Sequence, residues 1–200
     1  MNTGKPNFSG LIVVGSILSI GLIACSANPV EKHVINPFSP MLKVLVKESD
    51  FTENWEWIGG TLGQFPDAPS QENGQLAEWA TSSLQGVYGQ ERYEMNFFHI
   101  LHRYNRAVTL EDIDYSAFPQ DGNDAETVDL ALNSLGNQGS VKCLKTSHIL
   151  ECQVAGVYKN VVSIFRIWAP PDMQEELIVN ILNPVLQEID SRAKEMEDIK

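Results

Sequence analysis

The sequence predicts an α+β domain, a mainly antiparallel β-sheet packed by a long, Pro-kinked C-terminal helix. Three observations predict it. Residues 90–169 hold segments rich in β-branched and aromatic side chains, separated by turn-forming residues. Leu177, Ile178, Ile181, Leu182, Val185 and Ile189 recur at the spacing of one helix face. The 200 residues are 43 % hydrophobic and 20 % charged, an ordinary globular balance in which a core forms without a metal or a dense disulfide framework.

Taken in chain order, Ser39 as N-cap and Pro40 as first helical residue start a short helix over "MLKVLVKE", closed by the turn-forming "SDFTEN". A strand from Trp55 to Ile58 is broken by the pair Gly59-Gly60, and Asp67 to Gly74 is a loop by composition. "RYEMNFFHILHRY", Arg92 to Tyr104, carries both a helical stripe (Tyr93, Phe97, Leu101, Tyr104) and an alternation (Tyr93, Met95, Phe97) whose phase changes to Phe98 and Ile100. Its aromatic crowding favours a strand with a bulge. "TLED" from Thr109 resembles a capping box and opens a short helix before Pro119.

In "TVDLALN", Val128, Leu130 and Leu132 alternate with polar or small residues as in a half-buried strand; a helix capped by Asn123 is the alternative. "VKCLKTSHILECQV" reads as a hairpin with Ser147-His148 as its two-residue loop. That register sets Lys145 opposite Leu150 and Cys143 opposite Cys152, the latter a non-hydrogen-bonded pair with Cα atoms about 4.5 Å apart, within reach of a disulfide. Val157 to Ala169 forms a third strand, ended by Pro170-Pro171. The C-terminal helix is expected to kink or split at Pro184, with Asn183 capping the second segment.

The net charge is −12, and the first 24 residues hold Lys5 and no acid, so removing that one positive charge leaves −13 on the remainder. So acidic a body is a poor counterion for phosphate, which excludes nucleic acid as a partner class and sets the protein against anionic lipid headgroups.

At the N-terminus, Lys5 precedes the apolar run Leu11–Ala24, the layout of a secretory signal. The run ends Leu22-Ile23-Ala24-Cys25, which resembles the lipobox of bacterial lipoproteins. The resemblance covers about the first 27 residues. It implies that residues 1–24 are removed, that Cys25 is acylated, and that the membrane partner is reached through this lipid. Two or more acyl chains anchor stably where one does not, which offsets the charge repulsion. An uncleaved span over the uncharged residues 8–27 and an ordinary secreted protein are the alternatives, and all three place residues 28–200 outside the cytoplasm. Residues 25–40 then form a tether containing His33, and residues 41–200 a single extracytoplasmic domain.

Chemistry-bearing residues are few. Cys143 and Cys152, the two thiols left in the mature chain, are expected to form a structural disulfide in an oxidising compartment. His99 and His102 share a face only if their segment is helical, and no neighbouring Cys or acid completes a metal site; Glu94 and Glu111 join only if the fold brings them near. "DGNDAETVD" lacks the Gly and Glu a calcium loop requires. Asp112, Asp114 and Glu151 are acids that the fold could gather. Trp55, Trp57 and Trp168, with Phe97 and Tyr104, are core residues or the wall of a pocket for an apolar or cationic ligand. No nucleophile motif and no cofactor-binding motif is present, so no catalytic residue, metal or cofactor is assigned. The expectation is a lipid-anchored envelope protein with a non-catalytic domain that binds a protein partner. A small-ligand-binding lipoprotein is the alternative, and an envelope enzyme the lesser one.

Overall fold

The computed structural model describes residues 32–34, 39–65, 76–112 and 124–197. Its core is an eight-stranded sheet: β1 (Lys32–Val34), β2 (Trp55–Phe65), β3 (Leu76–Tyr88), β4 (Tyr93–Tyr104), β5 (Glu126–Val128), β6 (Gln138–Lys145), β7 (Leu150–Tyr158) and β8 (Val161–Ala169). The order across the sheet is β1-β2-β3-β4-β8-β7-β6-β5. All neighbours are antiparallel except β1, which pairs in parallel with Leu62–Gln64 of β2. Among the described residues two α-helices accompany it, α1 (Met41–Val44) and the 23-residue α2 (Glu175–Glu197). The expected α+β architecture with a C-terminal helix is therefore present.

One face of the sheet is the core. Met95, Phe97 and Leu101 of β4 pack with Val154 of β7 and with Phe165 and Ile167 of β8, each at most 1 % exposed. Against them α2 lays Ile178, Ile181, Leu182, Val185 and Ile189 with Leu177 half-buried, the apolar stripe read from the sequence, and adds Leu186. The opposite face is apolar over one half, where Val108 and Leu110 cover Tyr104, Val162 and Ile164.

Several local expectations are corrected. Helix α2 runs unbroken through Pro184, and Asn183 does not cap a second segment. Proline costs an interior helix about 3 kcal/mol. Ile181, Leu182, Val185 and Leu186 stay in phase on the core only if the helix continues, and burying four such side chains contributes at least about 6 kcal/mol. Asn183 instead docks the chain at 131–133: its Oδ1 accepts the Asn133 N–H at 2.8 Å, and its Nδ2 donates to the Ala131 carbonyl at 3.1 Å.

Gly59-Gly60 does not break β2. The strand passes the pair with a register shift between Trp57 and Gly59, leaving Ile58 54 % exposed. Strand β4 itself has no bulge; it alternates steadily against β8, and against β3 up to a register shift between Leu76 and Glu78 of β3, and puts Phe98 and Ile100 on the other face. The strand expected through Leu130 and Leu132 stops at Val128, and Leu130 reaches the core from irregular chain. "TLED" makes a 3-10 turn at Leu110–Asp112, and the rest of the helix expected before Pro119 lies outside the described residues.

The strand expected from Val157 divides between β7 and β8 around a turn at Lys159-Asn160, with Lys159 at φ 52°. A Lys in that conformation carries no glycine signal. Strand β3 was not legible at all: its core-facing positions Ala80, Ser82, Leu84 and Gly86 are mostly small or polar. Part of the segment read as tether is β1, so the chain joins the sheet edge before the domain proper begins.

Candidate functional site

The hairpin register read from the sequence is the observed one: Lys145 pairs with Leu150 and Cys143 with Cys152, and the two cysteines form a disulfide with Cα atoms 4.1 Å apart. Both are buried on the core face. Cys25 lies outside the described residues.

The tryptophans separate. Trp55 and Trp57 stack at 5.0 Å and 12°, and Phe51, Tyr88 and Phe97 close around them at ring distances of 5.0–6.2 Å, with Phe51 and Phe97 themselves 4.6 Å apart. Gly86 makes the room, because a Cβ there would lie 2.8 Å from Trp57 and 2.9 Å from Trp55. This is a packing cluster at the rim of the core. Tyr104 lies on the opposite face, as does Trp168.

Trp168 is half-buried beside Asn96 of β4 and Glu151 of β7, its register partners. It lines a cavity of about 240 Å³ with Pro170, Pro171, Ile149, Glu94, Asn96 and, from the β6–β7 loop, His148. Burial pushes the Glu151 carboxyl above its ordinary range, against the opposing effects of the neighbouring Trp168 indole and of the Arg166 charge. Arg166, one row along the face, donates from Nε to Gln153 Oε1 at 2.8 Å. Glu94 Oε1 accepts from Gln85 Nε2 at 2.6 Å.

The hairpin and proline signals were legible singly. Their meeting was not, because Leu150 pairs with Ala169 only through the unrecognised turn at Lys159.

A second groove, about 370 Å³, runs along the core face at the β2 edge, floored by Val46, Gly60, Leu62 and Leu84 with Lys47 and Thr61 at its rim. Trp55 and Trp57 line neither cavity.

His99 and His102 fall on opposite faces of β4, as an odd spacing on a strand requires. His99 is fully buried and spent at both ring nitrogens. Nδ1 accepts the Val46 N–H at 3.0 Å, which puts the ring proton on Nε2, 2.8 Å from Ser163 Oγ. Burial, assisted by the Arg192 charge, lowers its pKa from 6.5 to about 3, so it is neutral at pH 7.

Among the described residues no group of three or more His, Cys, Asp or Glu could hold a metal ion. Asp114 and the start of the acidic turn at Asp121 lie outside the described residues, and Glu151 stands opposite Trp168 in the sheet. No described helix is long and apolar enough to cross a membrane.

Two polar clusters carried no sequence signal, since their members are far apart in the chain. Glu78 accepts from Ser39 Oγ at 2.8 Å and pairs with Arg103 at 2.6 Å. Asp190 accepts from Tyr158 Oη at 2.8 Å and from the Gly136 N–H at 2.9 Å, and pairs with Lys194. Burial acts to raise the Asp190 pKa, but these hydrogen bonds and the Lys194 charge outweigh it and hold the carboxyl below its ordinary value.

No protein-family model matches the chain, and no curated protein matches it. Among solved structures, a putative uncharacterized protein (Rv0999 ortholog) from Mycobacterium smegmatis aligns over 77 % of this chain and 98 % of its own, at 14 % identity and a TM-score of 0.39.

Proposed function

We propose that the chain is an exported lipoprotein, held to a bacterial membrane through acylated Cys25, whose folded domain binds an envelope protein and performs no catalysis. The observation that carries the binding reading is the uneven covering of the sheet. Helix α2 packs one face, whereas among the described residues only 105–112 lies on the other, leaving Phe98 and Trp168 half-exposed. Aromatic side chains in that setting are the anchors protein interfaces use.

The export reading is supported by the lipobox at Leu22–Cys25 and by the Cys143–Cys152 bridge, which persists in oxidising compartments. The non-catalytic reading is supported by His99, whose ring is consumed by Val46 and Ser163 inside the core. A small-ligand role is the second reading, favoured by the cavity beside Trp168.

The test is a native mass spectrum of the protein taken from its own membranes in mild detergent. The expected species begins at Cys25, carries acyl chains and travels with a second protein. An intact N-terminus overturns the lipid anchor. A lipidated monomer with no protein companion overturns the partner, and a small non-covalent adduct in its place favours the second reading.

A further inference from the structure

We propose that the cavity beside Trp168 is a site for an organic cation, the guanidinium or alkylammonium head of a basic side chain presented by the partner protein. The proposal rests on the binding-domain reading above.

Size comes first. About 240 Å³ is below the range of drug-sized pockets and suits one side chain or headgroup. The walls come second. Trp168, Pro170, Pro171 and Ile149 supply an apolar wall, and a cation over the indole face is attracted by the negative face of the ring.

The charges come third. Glu151, the register partner of Trp168, places a carboxyl group beside the indole, which adds to the attraction a cation meets there. Glu94, on the same face of β4 as Asn96, adds a carboxylate at the wall. Gln85 holds one Glu94 oxygen, and the other has no partner among the described residues. Asn96 adds a neutral amide.

Two cationic or titratable neighbours oppose the assignment. Arg166 is drawn aside by Gln153 one row away, and His148 is exposed on its loop. The net charge of −12 steers basic partners toward the domain from a distance.

The experiment titrates the full lipidated chain in detergent with N-acetylarginine amide, and separately with N-acetylcitrulline amide, its uncharged isostere, by calorimetry. Saturable binding of the arginine probe is expected, with the citrulline probe at least tenfold weaker. Glu94→Gln, an exposed position that leaves the fold intact, should weaken the arginine probe at least tenfold, and Trp168→Ala should abolish its binding. No saturable binding, equal binding of the two probes, or a Glu94→Gln variant that binds as the parent does, each overturns the cation site.

Two further outcomes separate this inference from the reading it rests on. If the native spectrum shows a companion protein that Glu94→Gln and Trp168→Ala retain in full, the cavity is not its docking point and the binding-domain reading stands. If the probe binds as expected but no companion protein is found, the cation's source is a free small molecule, and the partner reading falls while the site remains.

Discussion

The imidazole of His99 accepts the backbone N–H of Val46 at 3.0 Å in the middle of the core, tying the chain after α1 to the central strand β4. The carbonyl of the same residue accepts from Ser82 Oγ at 3.0 Å, so β4 holds the backbone N–H of Val46 and β3 its C=O. This is what keeps residues 45–50 over the sheet beside the groove at the β2 edge.

Acid should loosen that tie before it titrates most carboxylates. In the folded protein His99 titrates at about 3, against an ordinary 6.5, because burial first and Arg192 second disfavour its charge. Between those values the unfolded chain binds the extra proton, so stability is complete above pH 6.5 and falls with pH toward 3. The slope is about 1.4 kcal/mol per pH unit, or about 2 kcal/mol between pH 6.5 and 5. Urea unfolding at both pH values measures it. A His99→Gln variant should lose this slope while being destabilised at pH 7, and an unchanged slope in the variant would refute the assignment. Asp190, held below the ordinary carboxylate range, adds its own loss only at lower pH.

Removing the bridge should weaken the fold without undoing it. Cys143 and Cys152 are 9 residues apart in sequence, and closing so small a loop contributes about 2–3 kcal/mol through the unfolded chain. The double variant Cys143→Ala, Cys152→Ala should unfold at correspondingly lower denaturant, with a reductant reproducing the effect in the parent and leaving the variant unmoved.

Arg192 should matter more than a surface cation does. Its Nη2 meets Asp50 at 2.6 Å, with side chains 15 % and 7 % exposed, and its Nη1 donates to the Lys43 carbonyl at 3.1 Å. Arg192→Met leaves the Asp50 carboxylate sheltered from water with only the Lys47 N–H, and should cost about 2–3 kcal/mol by denaturant titration. Asp50→Asn keeps a partner for each group and should cost less.

Gly156→Ala should be among the most damaging small changes available. A Cβ at 156 would sit 2.3 Å from the Leu135 carbonyl oxygen, and Leu135 itself is fully buried where the irregular chain crosses β7. No side chain can yield there, since the clash is with backbone. A loss above about 3 kcal/mol, or insoluble expression, is expected; a melting curve matching the parent would refute the crossing.

What the sequence by itself determined are the features written in neighbouring residues. The hairpin register that pairs Cys143 with Cys152 follows from counting outward from Ser147-His148, and the α2 stripe follows from spacing at 3.6. The resemblance of Leu22-Ile23-Ala24-Cys25 to a lipobox is likewise read from neighbouring residues. Tertiary structure decided the rest, because burial overrode local preference. Helix α2 crosses Pro184 since its apolar stripe continues past it, and β2 crosses two glycines since β3 pairs along its whole length. Strand β3 hides small and polar residues under the connection around Val46. The cavity at Trp168 was beyond reading for the same reason: Glu94, Ile149 and Pro170 come together only once four strands stand in register.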